Sequence, residues 1–132
     1  MTIGVAFSRT PAGRAALRVA AREASIHQTE LVVLNVTDTA EHAEDRSATA
    51  IVEDEVSRQL AAGTAPAPDW QVVNEATLGN LADVIVDLAT RVDAEFLVIG
   101  SKERSAVGKL VMGSTVRQVV MKAPMPVLVV KT

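Results

Sequence analysis

The chain has 132 residues, 48% of them hydrophobic, so it can close one substantial core and is too apolar to stay disordered. Its formal net charge of −3 speaks against a general nucleic-acid binder or an anionic-membrane binder. Cysteine is absent, which removes thiol catalysis, thiolate metal sites and disulfides, and fits a reducing compartment.

No apolar run reaches the roughly 20 residues that span a bilayer, and membrane insertion is not expected. The segment Met1–Phe7 lacks the basic flank and cleavage pattern of a signal peptide. The expected location is the cytoplasm, with a single domain over residues 1–132.

The first element is the apolar run Ile3–Phe7, read as a strand. Thr10 then offers a helix cap, with Pro11 at the first helical position. Leu17, Ala20, Ala21 and Ala24 make a stripe of mostly small residues, which permits close approach to a sheet. A second strand follows at Leu31–Val36.

The polar link Thr37–Asp45 holds Asp38, Glu41, Glu44 and Asp45, and reads as a solvated loop rather than a metal site. A helix is predicted over Ser47–Ala62, with Ala48, Val52, Val56 and Leu60 on one side. Thr64–Asp69, with Pro66 and Pro68, connects it to a weaker, half-polar strand at Trp70–Asn74, which suits a sheet edge.

Asn80 caps the third helix, with Asp83 standing where a capping box has Glu or Gln, and Leu81, Val84, Ile85 and Leu88 recur at helical spacing. Strand four is Phe96–Ile99. The last helix begins at Ser114, uses Val116, Val119, Val120 and Ala123, carries Lys122 near its negative end, and is stopped by Pro124 and Pro126. Val127–Val130 is the fifth strand.

Apart from Trp70–Asn74, the strands are nearly continuous apolar runs and read as covered on both faces. Alternation of strand and helix with short links predicts an α/β fold: a doubly wound, five-stranded parallel sheet, Rossmann-like, with helices on both faces. In the order 3-2-1-4-5 the strand order reverses between the first and fourth strands, and ligands of such sheets sit at the carboxyl ends of those two. Those ends are Ala6-Phe7-Ser8 and Ile99-Gly100.

From Gly100 to Thr115 the chain runs from that crevice to a helix N-terminus. Such a terminus presents unpaired N–H groups and about half a positive charge to an anion. Gly100 and Gly113 lack a β-carbon, so backbone can come close to a phosphate there. Ser114 and Thr115 add hydroxyls, and Lys102, Arg104 and Lys109 add charge. Taken singly, Gly113-Ser114 is more often a turn with a helix cap, Gly108 a tight bend, and loop Lys and Arg solvated surface. The segment is not a Walker A loop, because Glu103 replaces its first Gly and Leu110 its Ser or Thr.

These residues resemble the universal stress protein family. Its ATP-binding members share G-x2-G-x9-G-[ST], a helix, an Ala-Pro-x-Pro stop and an apolar strand. Gly100, Gly113-Ser114 and Ala123-Pro124-Met125-Pro126 followed by Val127–Val130 match in type and spacing, with Gly79-Asn80 and Arg14–Leu17 fitting further upstream. The resemblance covers the whole chain, and most strongly Phe96–Val130.

It implies a small stress-response regulatory module with ATP or another adenine nucleotide at the Gly100–Thr115 loop. Backbone near Ala6–Phe7 and Val36 would hold adenine. Gly100 would approach the ribose and first phosphates, with Ile99 beside it among the expected site residues, and Gly113, Ser114 and Thr115 would bind the distal phosphates. A divalent ion would ride only on the phosphates.

Two positions depart from the family pattern. The second loop glycine is Glu103, and the aspartate usual near the end of the first strand is Ala6. A carboxylate about 4 Å from a phosphate costs about 4 kcal/mol at an effective dielectric of about 20. The alternative is therefore a nucleotide-independent interaction protein with a degenerate site.

Under either reading a homodimer through Val127–Val130 is expected, with further protein partners unidentified and nucleic acid not among them. Neither histidine, His27 nor His42, has a triad partner evident in the sequence, and no catalytic constellation is expected.

Overall fold

A computed structural model describes residues 2–37, 46–63, 66–77, 79–101 and 113–132. Its elements are β1 (Thr2–Phe7), α1 (Pro11–Ile26), β2 (Glu30–Thr37), α2 (Arg46–Ala61), β3 (Trp70–Ala76), α3 (Leu81–Arg91), β4 (Ala94–Ser101), α4 (Ser114–Lys122) and β5 (Val127–Lys131). The sheet order is β3-β2-β1-β4-β5, as expected, and every neighbouring pair is parallel.

Strand alternation divides the apolar residues between two cores. Ile3, Val5 and Phe7 of β1 and Leu31 and Val33 of β2 meet Ala16, Leu17, Ala20 and Ala24 of α1 and Val52, Val56 and Leu60 of α2. Ala6, Val32, Leu34, Leu97 and Ile99 face the other way, toward Ile85, Leu88 and Ala89 of α3 and Val116 and Val119 of α4. The run Leu31–Leu34 is buried throughout, as a strand covered on both faces must be. Each fully buried aliphatic side chain contributes about 1.5–3 kcal/mol relative to exposure. The small residues of α1 let that helix lie directly over β1 and β4.

Thr10 caps α1 as expected, its hydroxyl oxygen accepting from Gly13 N at 3.1 Å. Asn80 likewise accepts from Asp83 N at 3.1 Å. The carboxylate of Asp83 is engaged elsewhere: it takes Lys122 Nζ at 2.7 Å and ties α3 to α4. At α4 the cap position falls on Gly113 rather than Ser114, with no side-chain hydrogen bond.

The expectation that Val127–Val130 is covered on both faces holds only in part: Val127 and Val129 pack toward one core and Val130 toward the other, all half-buried. β5 is an edge strand of half-buried and exposed residues, with Leu128 41% exposed, and no further described strand lies beyond it. β3, at the opposite edge, is half-buried as expected. No described helix is long and apolar enough to cross a membrane. The acidic stretch Asp38–Asp45, His42, the side chain of Ala48, and Lys102, Glu103, Arg104, Gly108 and Lys109 lie outside the described residues.

Candidate functional site

β1 and β4 are adjacent, with Ala6 level with Ile99 on one side and with Leu34 of β2 on the other. Strand alternation turns these three side chains to the same face, where they floor a cavity of about 340 Å³ at the carboxyl edge of the sheet. Leu81 and Ile85, one turn apart on α3, and Val36 of β2 extend its apolar lining. The first turn of α4 closes one side with Gly113, Ser114, Thr115 and Val116. The opposite lip is the β1–α1 turn, with Phe7, Ser8, Thr10, Ala12 and Gly13.

That turn is built by backbone contact. A β-carbon on Gly13 would collide with the carbonyl and hydroxyl oxygens of Ser8, so only glycine lets the turn fold onto the helix. Ser8 Oγ and Thr10 Oγ1 are 2.8 Å apart and form one hydrogen bond at the rim. The start of α1 is held from behind by an ion pair: Arg14 Nε donates to Glu55 Oε1 of α2 at 2.8 Å. Arg58 Nη2 donates to the other oxygen of that carboxylate at 3.0 Å. The hydrogen bond from Arg14 is the main cause that holds the Glu55 carboxyl below its ordinary value, with desolvation opposing and the charges of Arg14, Arg58 and Arg9 adding to the effect.

The two glycines singled out by the sequence differ in what they do. At Gly100 a β-carbon would run into the Ala12 carbonyl, so the missing side chain there is required by strand-to-helix packing. At Gly113 no described atom lies within 4 Å of a β-carbon. Its φ of −62° and ψ of 158° are open to any residue. Packing against the described residues does not account for a glycine at that position. It caps α4 without a side chain, so the N–H groups of the first turn keep no intrahelical partner at the cavity wall.

Eight of the nine expected site residues, Ala6, Phe7, Val36, Ile99, Gly100, Gly113, Ser114 and Thr115, line this one cavity. The ninth, Glu103, lies outside the described residues. Phe7 contributes at the lip while its ring is packed in the core under α1 and α2. Ser8, placed at the ligand end of the first strand by the sequence, also lines it, whereas sequence reasoning missed Thr10, Ala12, Gly13, Leu34, Leu81, Ile85 and Val116 as lining residues. Leu34 was within reach, since it shares a face with Val36 by strand periodicity.

None of the described lining residues is charged. The site can therefore take a flat apolar group on its floor and an anion at the start of α4, with backbone N–H groups rather than side-chain cations as the donors. Among the described residues no group of three or more His, Asp or Glu is placed to hold a metal. His27 is at the far end of α1, 3.4 Å from Glu23 and edge-on to Phe96.

Known proteins agree with this architecture. A universal stress protein of Mycolicibacterium smegmatis is 34% identical over 132 residues, covering 98% of this chain and 96% of that one. A universal stress protein solved in complex with cAMP superposes with a TM-score of 0.75 at 24% identity, covering 100% of this chain and 97% of the other. The universal stress protein of Archaeoglobus fulgidus in complex with dAMP gives a TM-score of 0.65 at 20% identity, over 97% of this chain and 94% of that one. Both structures share the fold. The profile of the universal stress protein family matches residues 1–131, and the chain belongs to that family.

Proposed function

We propose that the protein is a cytoplasmic, stress-responsive regulatory module that binds an adenine nucleotide in the cavity between β1, β4 and α4. It works by binding rather than by turnover. The observation that carries this is the open Gly113 wall facing the apolar floor of Ala6, Leu34 and Ile99 across about 340 Å³. That volume lies within the usual range for small-molecule sites, which are mostly apolar with a few convergent polar groups. The complexes of two fold relatives with cAMP and dAMP support the same ligand class.

In this arrangement the base lies on Ala6, Leu34 and Val36. The sugar passes Ile99–Gly100, and the phosphates meet the N–H and hydroxyl groups of Gly113, Ser114 and Thr115. ATP is the triphosphate member of the class, and a divalent ion would be held through its phosphates. Two chains pair through β5.

The test is to denature freshly purified protein, identify any released nucleotide, and titrate ATP, AMP and cAMP calorimetrically into the stripped protein. Stoichiometric binding of one of them is expected. An empty protein that gives no heat at millimolar ligand would leave the second reading, a nucleotide-independent dimeric interaction protein. The specific observation favouring that reading is the methyl group of Ala6 and the lack of any charged side chain among the described lining residues.

A further inference from the structure

Helices α1 and α2 run alongside each other on one face of the sheet, and their contact repeats in a fixed register. Arg14 Nε donates to Glu55 Oε1 at 2.8 Å, and one turn on Arg18 Nη1 donates to Gln59 Oε1 at 3.3 Å, each pair 41 residues apart. One further turn in the same register sets Arg22 against Gly63, which has no side chain. The rungs thus pass from an ionised acceptor to a neutral one to none. Where the third rung is missing, a second cavity of about 200 Å³ opens, bordered by Arg18, Arg22, Gln59 and Gly63. Ala21 and Leu60, both buried, form its floor, and Pro66 and Pro68 line it from the connection to β3.

The two arginines lack charge compensation from the described residues. Among the described residues neither takes part in an ion pair. The helical neighbours three and four positions from Arg18 are Arg14, Ala15, Ala21 and Arg22, and those of Arg22 are Arg18, Val19, Ser25 and Ile26. None is acidic, and like charges at this spacing repel across the helix surface. The fold therefore sets two arginines, one helical turn apart, at the border of an apolar floor, in a chain whose net charge is −3. Guanidinium forks match a carboxylate in charge and geometry.

We propose that this groove docks an acidic peptide segment of a partner protein, with one carboxylate shared by Arg18 and Arg22 and an adjoining aliphatic side chain on Ala21 and Leu60. The small volume suits one side chain rather than a polymer. The overall negative charge disfavours nucleic acid or an anionic membrane as the occupant. The groove lies along the later turns of α1, away from the cavity at its N-terminus, and its occupancy does not depend on what that cavity binds.

The probe is a capped hexapeptide of alternating leucine and glutamate, titrated into the isotopically labelled full chain and followed by amide chemical shifts. Shifts are expected at Ala21, Leu60, Gly63 and Ala67, with the glutamine counterpart binding about tenfold more weakly. Gly63→Glu supplies the missing rung. Among the described atoms a β-carbon there would meet only the Leu60 carbonyl, at 3.4 Å, so the substitution fits. It is expected to pair with Arg22, raise the melting temperature and abolish peptide binding while both arginines remain. Arg22→Gln should also lose binding with the fold intact. Equal binding of the glutamine peptide or of oligothymidylate, shifts centred elsewhere, or undiminished binding by Gly63→Glu would each overturn the proposal.

Discussion

The carbonyl of Ala12, in the first turn of α1, occupies the space that a β-carbon on Gly100 would need. The strand that ends at the cavity and the helix that walls it therefore touch backbone to backbone. Gly100→Ala must push them apart, and overpacking of this kind costs about 1–3 kcal/mol. A lower urea midpoint with unchanged slope is the expected result. A midpoint equal to wild type would mean that this contact yields at no cost.

Gly113→Ala is expected to behave in the opposite way. No described atom stands near the new methyl group, and the backbone angles are ordinary, so the change in stability should stay below about 1 kcal/mol. The methyl group does enter the space where a phosphate would meet the first turn of α4. Nucleotide affinity, measured by calorimetry, should fall at least about tenfold. Unaltered affinity in a folded variant would place the phosphates elsewhere.

The contrast between these glycines marks how far the sequence could be read. The sheet was legible because Leu31–Leu34 is short, rich in valine and apolar at every position, as a strand between two layers is. The cavity was legible because the strand order locates the switch point, and Ala6 and Ile99 follow from it. The role of Gly100 was not, since a missing side chain does not say which backbone fills its place. The contact between Ser8 and Gly13 stayed hidden for the same reason: it is set by how the β1–α1 turn folds back. At β5 the strand order already set Val127–Val130 at an edge, but an apolar run does not record how much of it the helices leave uncovered.

The Glu55 ion pair gives the stability a pH dependence of known sign. Arg14 lowers the folded-state value of this carboxyl below its ordinary 4.5. A group depressed on folding contributes fully above its unfolded value, and that contribution is lost as pH falls through the folded one. Urea midpoints of wild type and Glu55→Gln should therefore differ most at neutral pH and converge as the pH drops below 4.5. A gap that stays constant with pH would show that Glu55 acts by packing alone. In the Glu55→Gln protein the start of α1 also loses its charged anchor, so a modest loss of nucleotide affinity should accompany the loss of stability.

Dimerisation can be argued from the edge of the sheet. β5 pairs with β4 on one side and has no described strand on the other, so its outer N–H and C=O groups form a template for another strand. Leu128, 41% exposed, stands on this strand, and Val120 and Met121 of the neighbouring α4 are exposed as well. A second copy related by a two-fold axis would cover both the edge and these side chains. Light scattering at micromolar concentration should then give twice the 13.9 kDa chain mass. Leu128→Lys sets a charge on the edge, the device by which natural sheets resist pairing, and should return the mass to that of one chain. Because Leu128 is half open to solvent, the variant should keep its circular dichroism spectrum. A wild-type monomer would remove the dimer, and a Leu128→Lys dimer would move the interface away from β5.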